Sequence, residues 1–158
     1  VDGAEIVLLA VSTSQTPALL LEAAAAAPEA LFTDAASLKR SVAAAAAALP
    51  GATCFVGGHP MAGSRTAGIA GARADLFRDR PWLVVPTDRS DVRSIAAVQD
   101  LVRGIGARPA VVDAERHDLG KPPPARRRLG PRAGGFRRSR KRRGKGCRTG
   151  PPRRDAHR

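Results

Sequence analysis

Cysteines, aromatics and long apolar runs are all scarce in this chain, and each scarcity removes a class of protein. Two cysteines are present, Cys54 and Cys147, one in each compositional half. Neither a disulfide framework nor a Cys-x-x-Cys metal site is available, so no metal is expected and a reducing compartment fits best. Aromatics make up 3% of the residues, too few to furnish a stacking platform for nucleic acid. No apolar run approaches the roughly 18 residues of a membrane span. Glu22 and Pro28 interrupt the longest candidate, and Asp2 and Glu5 spoil a signal peptide. The expectation is a soluble, cytoplasmic domain without a membrane partner. The chain starts at Val1 and is almost at once inside a strand pattern, which reads as a missing amino terminus.

What is abundant is positive charge, but it is unevenly placed. Residues 1–118 carry 11 Lys and Arg against 13 Asp and Glu, an ordinary balance for a folded domain. Residues 119–158 carry 16 Lys and Arg against Asp155 alone. The net charge of +13 is therefore a property of the last 40 residues. There Pro122–Pro124, Arg126–Arg128 and Arg140–Arg143 stand among seven glycines, with little beyond Leu129 and Phe136 to bury. Such a segment cannot offset its ordering entropy and is expected to be a disordered Arg/Pro/Gly-rich tail. The chain divides into a domain over 1–118 and a tail over 119–158.

Within the domain, strand and helix patterns alternate. The apolar run Ile6–Val11 fits a strand buried on both faces. Thr16 offers a helix N-cap, Pro17 fits the first helical position, and Pro28 stops the helix. Leu31–Thr33 is a short strand; Ser37 can cap a helix running to Leu49, closed by Pro50 and Gly51. Cys54–Val56 is the next strand, followed by a glycine-rich loop and a helical stretch ending near Phe77. Trp82–Val85 reads as a strand, Asp91–Arg103 as an amphipathic helix, and Pro109–Val112 as the last strand. Short connections between alternating elements imply a parallel sheet covered on both faces. The class is α/β, the C-terminal part of a Rossmann-like doubly wound parallel sheet.

Ligands of open α/β sheets sit beyond the carboxyl ends of the strands. Three loops qualify: Ser12-Thr13, Thr33 to Ser37, and Gly57 to Ser64. In the third, Gly57 and Gly58 allow close backbone approach, and Pro60 restricts His59 to an extended conformation. A histidine there can take a proton from a substrate hydroxyl or merely tie down its own loop, and spacing leaves both open. Ser37 is a helix cap or a site residue, Thr33-Asp34 a self-satisfied turn or a ligand rim. Lys39 and Arg40 are expected to be solvated.

The segments VLLAVSTSQTPALLLE, LFTDAASLKRSV, FVGGHPMAGSRTAGIAGARADLFRDRPWLVVPT and VVDAERHD resemble, in order and spacing, the prephenate and arogenate dehydrogenases. The block GGHPMAGS is the specific one. The resemblance covers residues 1–118. It implies an NAD- or NADP-dependent oxidative decarboxylation of prephenate (or arogenate), a step of tyrosine biosynthesis. It also implies a homodimer for intact family members. It assigns His59 to accept a hydrogen bond or proton from the substrate 4-hydroxyl and Ser37 to orient that pair near the nicotinamide. Ser64 matches a position beside the substrate. Val11, Ser12, Thr33 and Ser37 match positions lining the dinucleotide.

Two departures accompany these matches. Ser12 stands where the family usually has proline, and Ala36 and Arg40 replace the glycines of a TDxGSxKG pattern. The sequence contains no GxGxxG turn, the element that cradles a pyrophosphate. An SHLPH motif should follow His117-Asp118, and Lys121 to Arg126 (KPPPAR) stands there instead. A one-base shift of codons for KPPPAR permits Ser, His, Leu, Pro and His, so the tail reads as an out-of-frame end of GC-rich DNA. The chain is expected to be an inactive fragment. The rival class is a nonspecific nucleic-acid-binding protein acting through the tail. A third is a regulatory module that kept the fold without turnover. No specific nucleic acid is expected as partner.

Overall fold

The computed structural model describes residues 3–113 apart from 52, 65 and 67, together with His117. The tail 119–158 lies outside the described residues. Five strands form one sheet: β1 (Ile6–Leu9), β2 (Leu31–Asp34), β3 (Cys54–Pro60), β4 (Pro81–Pro86) and β5 (Arg108–Val111), hydrogen-bonded in that order. Three helices accompany them: α1 (Thr16–Ala26), α2 (Arg40–Ala47) and α3 (Val92–Gly104).

Side chains alternate across a strand, and here each face finds its own helix. Phe32 and Phe55 point to one side, where they pack with Val7, Leu9, Leu20, Ala24, Val42 and Ala46 under α1 and α2. Leu31, Cys54 and Val56 point to the other, where Val84, Val98 and Val102 close the core beneath α3. Fully burying a side chain such as Phe32 contributes about 1.5–3 kcal/mol. The alanine tracts let α1 and α2 lie close together, with Ala24 and Ala46 in the shared core.

The sheet is mixed, mostly parallel, and this corrects the expectation of an all-parallel one. β1, β2 and β3 pair in parallel, as do β4 and β5, but β3 and β4 are antiparallel. The reason lies in the connection. A parallel return needs a crossover, usually a helix, and between Pro60 and Pro81 the described residues hold only a 3₁₀ turn at Ile69–Gly71. The helical stretch expected up to Phe77 does not form; two glycines, Gly68 and Gly71, bracket that turn.

Boundaries differ in three further places. α1 is entered through Gln15, with Thr16 already helical and its hydroxyl donating to the Ser12 carbonyl (3.0 Å). α2 begins at Arg40 with Lys39 as its N-cap residue, so Ser37 is not the cap. β3 runs on through His59 to Pro60, which places Gly57, Gly58 and His59 in the sheet and not in a loop. α3 starts as expected, in a capping box in which Asp91 accepts from the Ser94 N–H and Ser94 Oγ accepts from the Asp91 N–H.

Candidate functional site

Because β1, β2 and β3 are parallel, the ends at Leu9, Asp34 and Pro60 lie along one rim of the sheet. The organising residue of that rim is Asp34. Its Oδ1 accepts from the Gly58 N–H (2.9 Å), and its Oδ2 accepts from the Ala36 N–H (3.1 Å) and from Lys39 Nζ (2.5 Å). Both members of the pair are sealed from solvent, Lys39 at 2% exposure and Asp34 at 0%. The expectation that Lys39 is solvated is thus overturned. A buried carboxylate needs a cationic partner and donors for its remaining lone pairs, and Asp34 has three donors. Arg40, one residue on, is exposed as expected.

The glycines of β3 serve this arrangement. A Cβ on Gly58 would run into the Asp34 carbonyl oxygen and sit 2.8 Å from Trp82 Nε1. One on Gly57 would lie 3.1 Å from the Val85 carbonyl oxygen and 3.3 Å from Lys39 Cδ. The close approach they permit is therefore to β2, β4 and the Lys39 side chain.

His59 follows directly, half-buried, paired across the sheet with Leu83. Its Nδ1 lies 2.8 Å from His117 Nε2, and the two rings are tilted at 56° with centroids 5.0 Å apart. Burial, the neighbouring His117 and the charge of Lys39, in that order, lower the His59 pKa from 6.5 to about 4. The imidazole is held neutral at physiological pH, the state a general base requires. His117 was given no role on sequence grounds. It is 58 positions from His59, and only the fold, with the Asp113 carbonyl accepting from the His117 N–H (3.0 Å), brings it there.

The other sequence-predicted residues fall in three places. Val11, Ser12 and Ser37 are exposed along the β1–β2 part of the rim, where Thr13 Oγ1 accepts from the Ser37 N–H (3.3 Å). Ser12 is engaged locally, its hydroxyl donating to Gln15 Oε1 (2.8 Å). Among the described residues, the bridge from the Ser37 segment to the His59 strand is Asp34. Thr33 is buried, and its hydroxyl has no partner among the described residues. It faces a cavity of about 30 Å³ that Leu8, Trp82, Val98 and Ile105 also line, on the α3 side. Ser64 is exposed beyond β3, with Oγ accepting from the Thr66 N–H (3.0 Å).

The chemistry of these groups fits one end of a dinucleotide. Exposed hydroxyls at Ser12 and Ser37 suit the sugar and carboxamide of a nicotinamide nucleoside, whereas no glycine-rich turn for its phosphates is in the sequence. Among the described residues no cluster of three or more His, Cys, Asp or Glu could hold a metal ion, and no helix is long and apolar enough to cross a membrane.

Comparison with known proteins shows the family. Residues 1–111 match the family described as prephenate dehydrogenase, nucleotide-binding domain. The prephenate dehydrogenase of Bacillus subtilis (strain 168) is 35% identical over 121 residues, which is 75% of this chain and 33% of that protein. The probable prephenate dehydrogenase NovF of Streptomyces niveus is 46% identical over 63 residues, 40% of this chain and 17% of that protein. Among solved structures, arogenate dehydrogenase of Synechocystis superposes with a TM-score of 0.68 at 29% identity, covering 75% of this chain and 42% of that one. The chain spans a third or less of the length of the first two relatives. The chain therefore belongs to the prephenate dehydrogenase family, matching its nucleotide-binding domain over residues 1–111.

Proposed function

We propose that residues 1–118 carry the hydroxyl-activating part of the active site of an NAD- or NADP-dependent prephenate or arogenate dehydrogenase, with His59 as its base. The proposed overall reaction is the oxidative decarboxylation of prephenate to 4-hydroxyphenylpyruvate. The nicotinamide cofactor, when bound, takes up the hydride released from the carbon bearing the 4-hydroxyl. His59 Nε2 takes the hydroxyl proton as that carbon becomes a carbonyl, and the ring carboxylate departs as carbon dioxide. Ser37 orients the hydroxyl and the imidazole, and Ser64 lies beside the substrate. Val11, Ser12 and Ser37 line the cofactor; Thr33, proposed with them from the resemblance, has its side chain buried on the α3 side and would act only from behind that rim. A homodimer belongs to the same proposal.

The observation that carries this reading is the state of His59. It stands near the carboxyl end of β3, half-buried, with its pKa lowered to about 4. At neutral pH the ring is uncharged, so one of its nitrogens keeps a lone pair with which to accept a hydrogen bond or proton. Asp34 supports it by fixing the adjacent Gly58 N–H, and Lys39 keeps the resting imidazole uncharged.

The sequence contains no GxGxxG motif, so we expect the chain to give no turnover alone. The test places residues 1–118 into the matching segment of the Bacillus subtilis relative and follows reduced-nicotinamide absorbance with prephenate and NAD. An active chimaera is expected, with His59→Ala lowering kcat by roughly 10²–10⁴-fold. A chimaera equally active with and without His59 sinks the assignment.

A further inference from the structure

His117 plays no part in the reaction proposed for His59, yet its Nε2 lies 2.8 Å from His59 Nδ1. It is 9% exposed, so the contact is not made by a freely rotating surface ring. At this distance one hydrogen lies between His59 Nδ1 and His117 Nε2, and which of the two nitrogens carries it decides which nitrogen of His59 is basic. If His117 donates, His59 Nδ1 is the acceptor and Nε2 carries the hydrogen; the ring then has nothing left with which to take a proton. If His59 donates through Nδ1–H, its Nε2 keeps the lone pair. The nitrogen opposite a fixed hydrogen bond is the one available for chemistry.

We propose that His117 is a positioning residue for His59: its Nε2 accepts the hydrogen bond from His59 Nδ1–H and so holds the imidazole in the tautomer whose Nε2 is the base. This rests on the reading of His59 as the proton acceptor. During the reaction the substrate O–H bond breaks and an N–H bond forms at His59 Nε2. The Nδ1–H stays in place, and its hydrogen bond to His117 becomes charge-assisted and stronger. Among the described residues, the charged and titratable groups that act on His59 are His117, beyond β5, and Lys39, at the entrance to α2, itself held by Asp34 at the end of β2. Lys39 opposes charge on the ring but makes no tautomer choice; His117 makes that choice.

The test reads the tautomer without reference to turnover. Long-range proton–nitrogen spectra of the ¹⁵N-labelled 158-residue chain at pH 7 should show His59 protonated at Nδ1 and bare at Nε2. His117→Phe, which removes the acceptor, should return His59 to the Nε2–H form that free histidine prefers. His117→Gln, whose amide oxygen can occupy the Nε2 position, should keep the native form. In the active chimaera His117→Phe should lower kcat roughly 10- to 100-fold, with KM nearly unchanged, and His117→Gln should restore most of it. An Nε2–H signal for His59 in the unmutated chain overturns the proposal, as does an unaltered His59 spectrum in His117→Phe. If instead the tautomer behaves as stated while the His59→Ala chimaera keeps its activity, the reading of His59 as base fails and the pairing stands.

Discussion

At the scale of single residues, the two titratable sites of the rim predict opposite kinds of fragility. His59 has a folded-state pKa of about 4 against 6.5 when unfolded. Between those values the unfolded chain binds a proton that the folded one refuses. The associated stability is fully present above pH 6.5 and is lost as the pH falls toward 4. For a half-buried ring, solvent screening leaves about 1–2 kcal/mol of this effect. Urea unfolding at pH 7.5 and pH 4.5 should therefore show a smaller acid loss in His59→Gln than in the unmutated chain; equal losses count against the lowered pKa. The Asp34–Lys39 pair fails differently, because removing one partner strands the other charge in the core. Lys39→Met should cost roughly 3–5 kcal/mol, and the double substitution Asp34→Asn with Lys39→Met should recover a large part of it. Denaturation midpoints measure both, and a single-variant loss under about 1 kcal/mol contradicts the burial of the pair.

At the scale of elements, a contact between distant segments ends α2. Polar groups at a helix C-terminus have no partners within the helix, and the alanine-rich α2 brings no side chain able to serve. Arg89, between β4 and α3, supplies them from outside: its guanidinium donates to the carbonyls of Ala47 (3.2 Å), Leu49 (2.6 Å) and Gly51 (3.0 Å). Arg89→Ala should destabilise the fold by about 1–3 kcal/mol, and amide exchange should quicken first in the last turn of α2; exchange unchanged there refutes the cap. Contacts of this sort mark the limit of sequence reading. Ile6–Leu9, Leu31–Asp34 and α3 were legible because apolar runs and helical spacing are local signals. The antiparallel turn from β3 to β4 was not, since GGHPMAGS looks like a loop when glycines are read as turn-formers. In the structure Gly57 and Gly58 are instead strand residues that make room for Lys39 and the Asp34 carbonyl. His59 could be picked out by its loop-edge position and its resemblance, whereas His117 and Lys39 required the folded chain.

At the scale of the whole molecule, charge and fold are separable. The described residues lie almost wholly within 3–113, and residues 1–118 hold a slight excess of acidic groups, so the net charge of that part does not favour a long polyanion such as DNA. The 16 basic residues of 119–158 would neutralise phosphates, and an affinity built on several such contacts falls steeply with salt because condensed counterions are released on binding. The intact chain should therefore be retained on immobilised duplex DNA at low salt, show no preference among sequences, and elute as sodium chloride approaches a few tenths molar, about the range in which a multi-phosphate contact loses most of its affinity. Deleting residues 119–158 should abolish retention while leaving the spectrum of the His59–His117 pair unchanged. Retention that survives the deletion would place a nucleic-acid surface on the sheet domain itself and revive the binding class as a rival to the dehydrogenase reading. Loss of the histidine signature on deletion would mean that the basic segment is part of what holds the rim together.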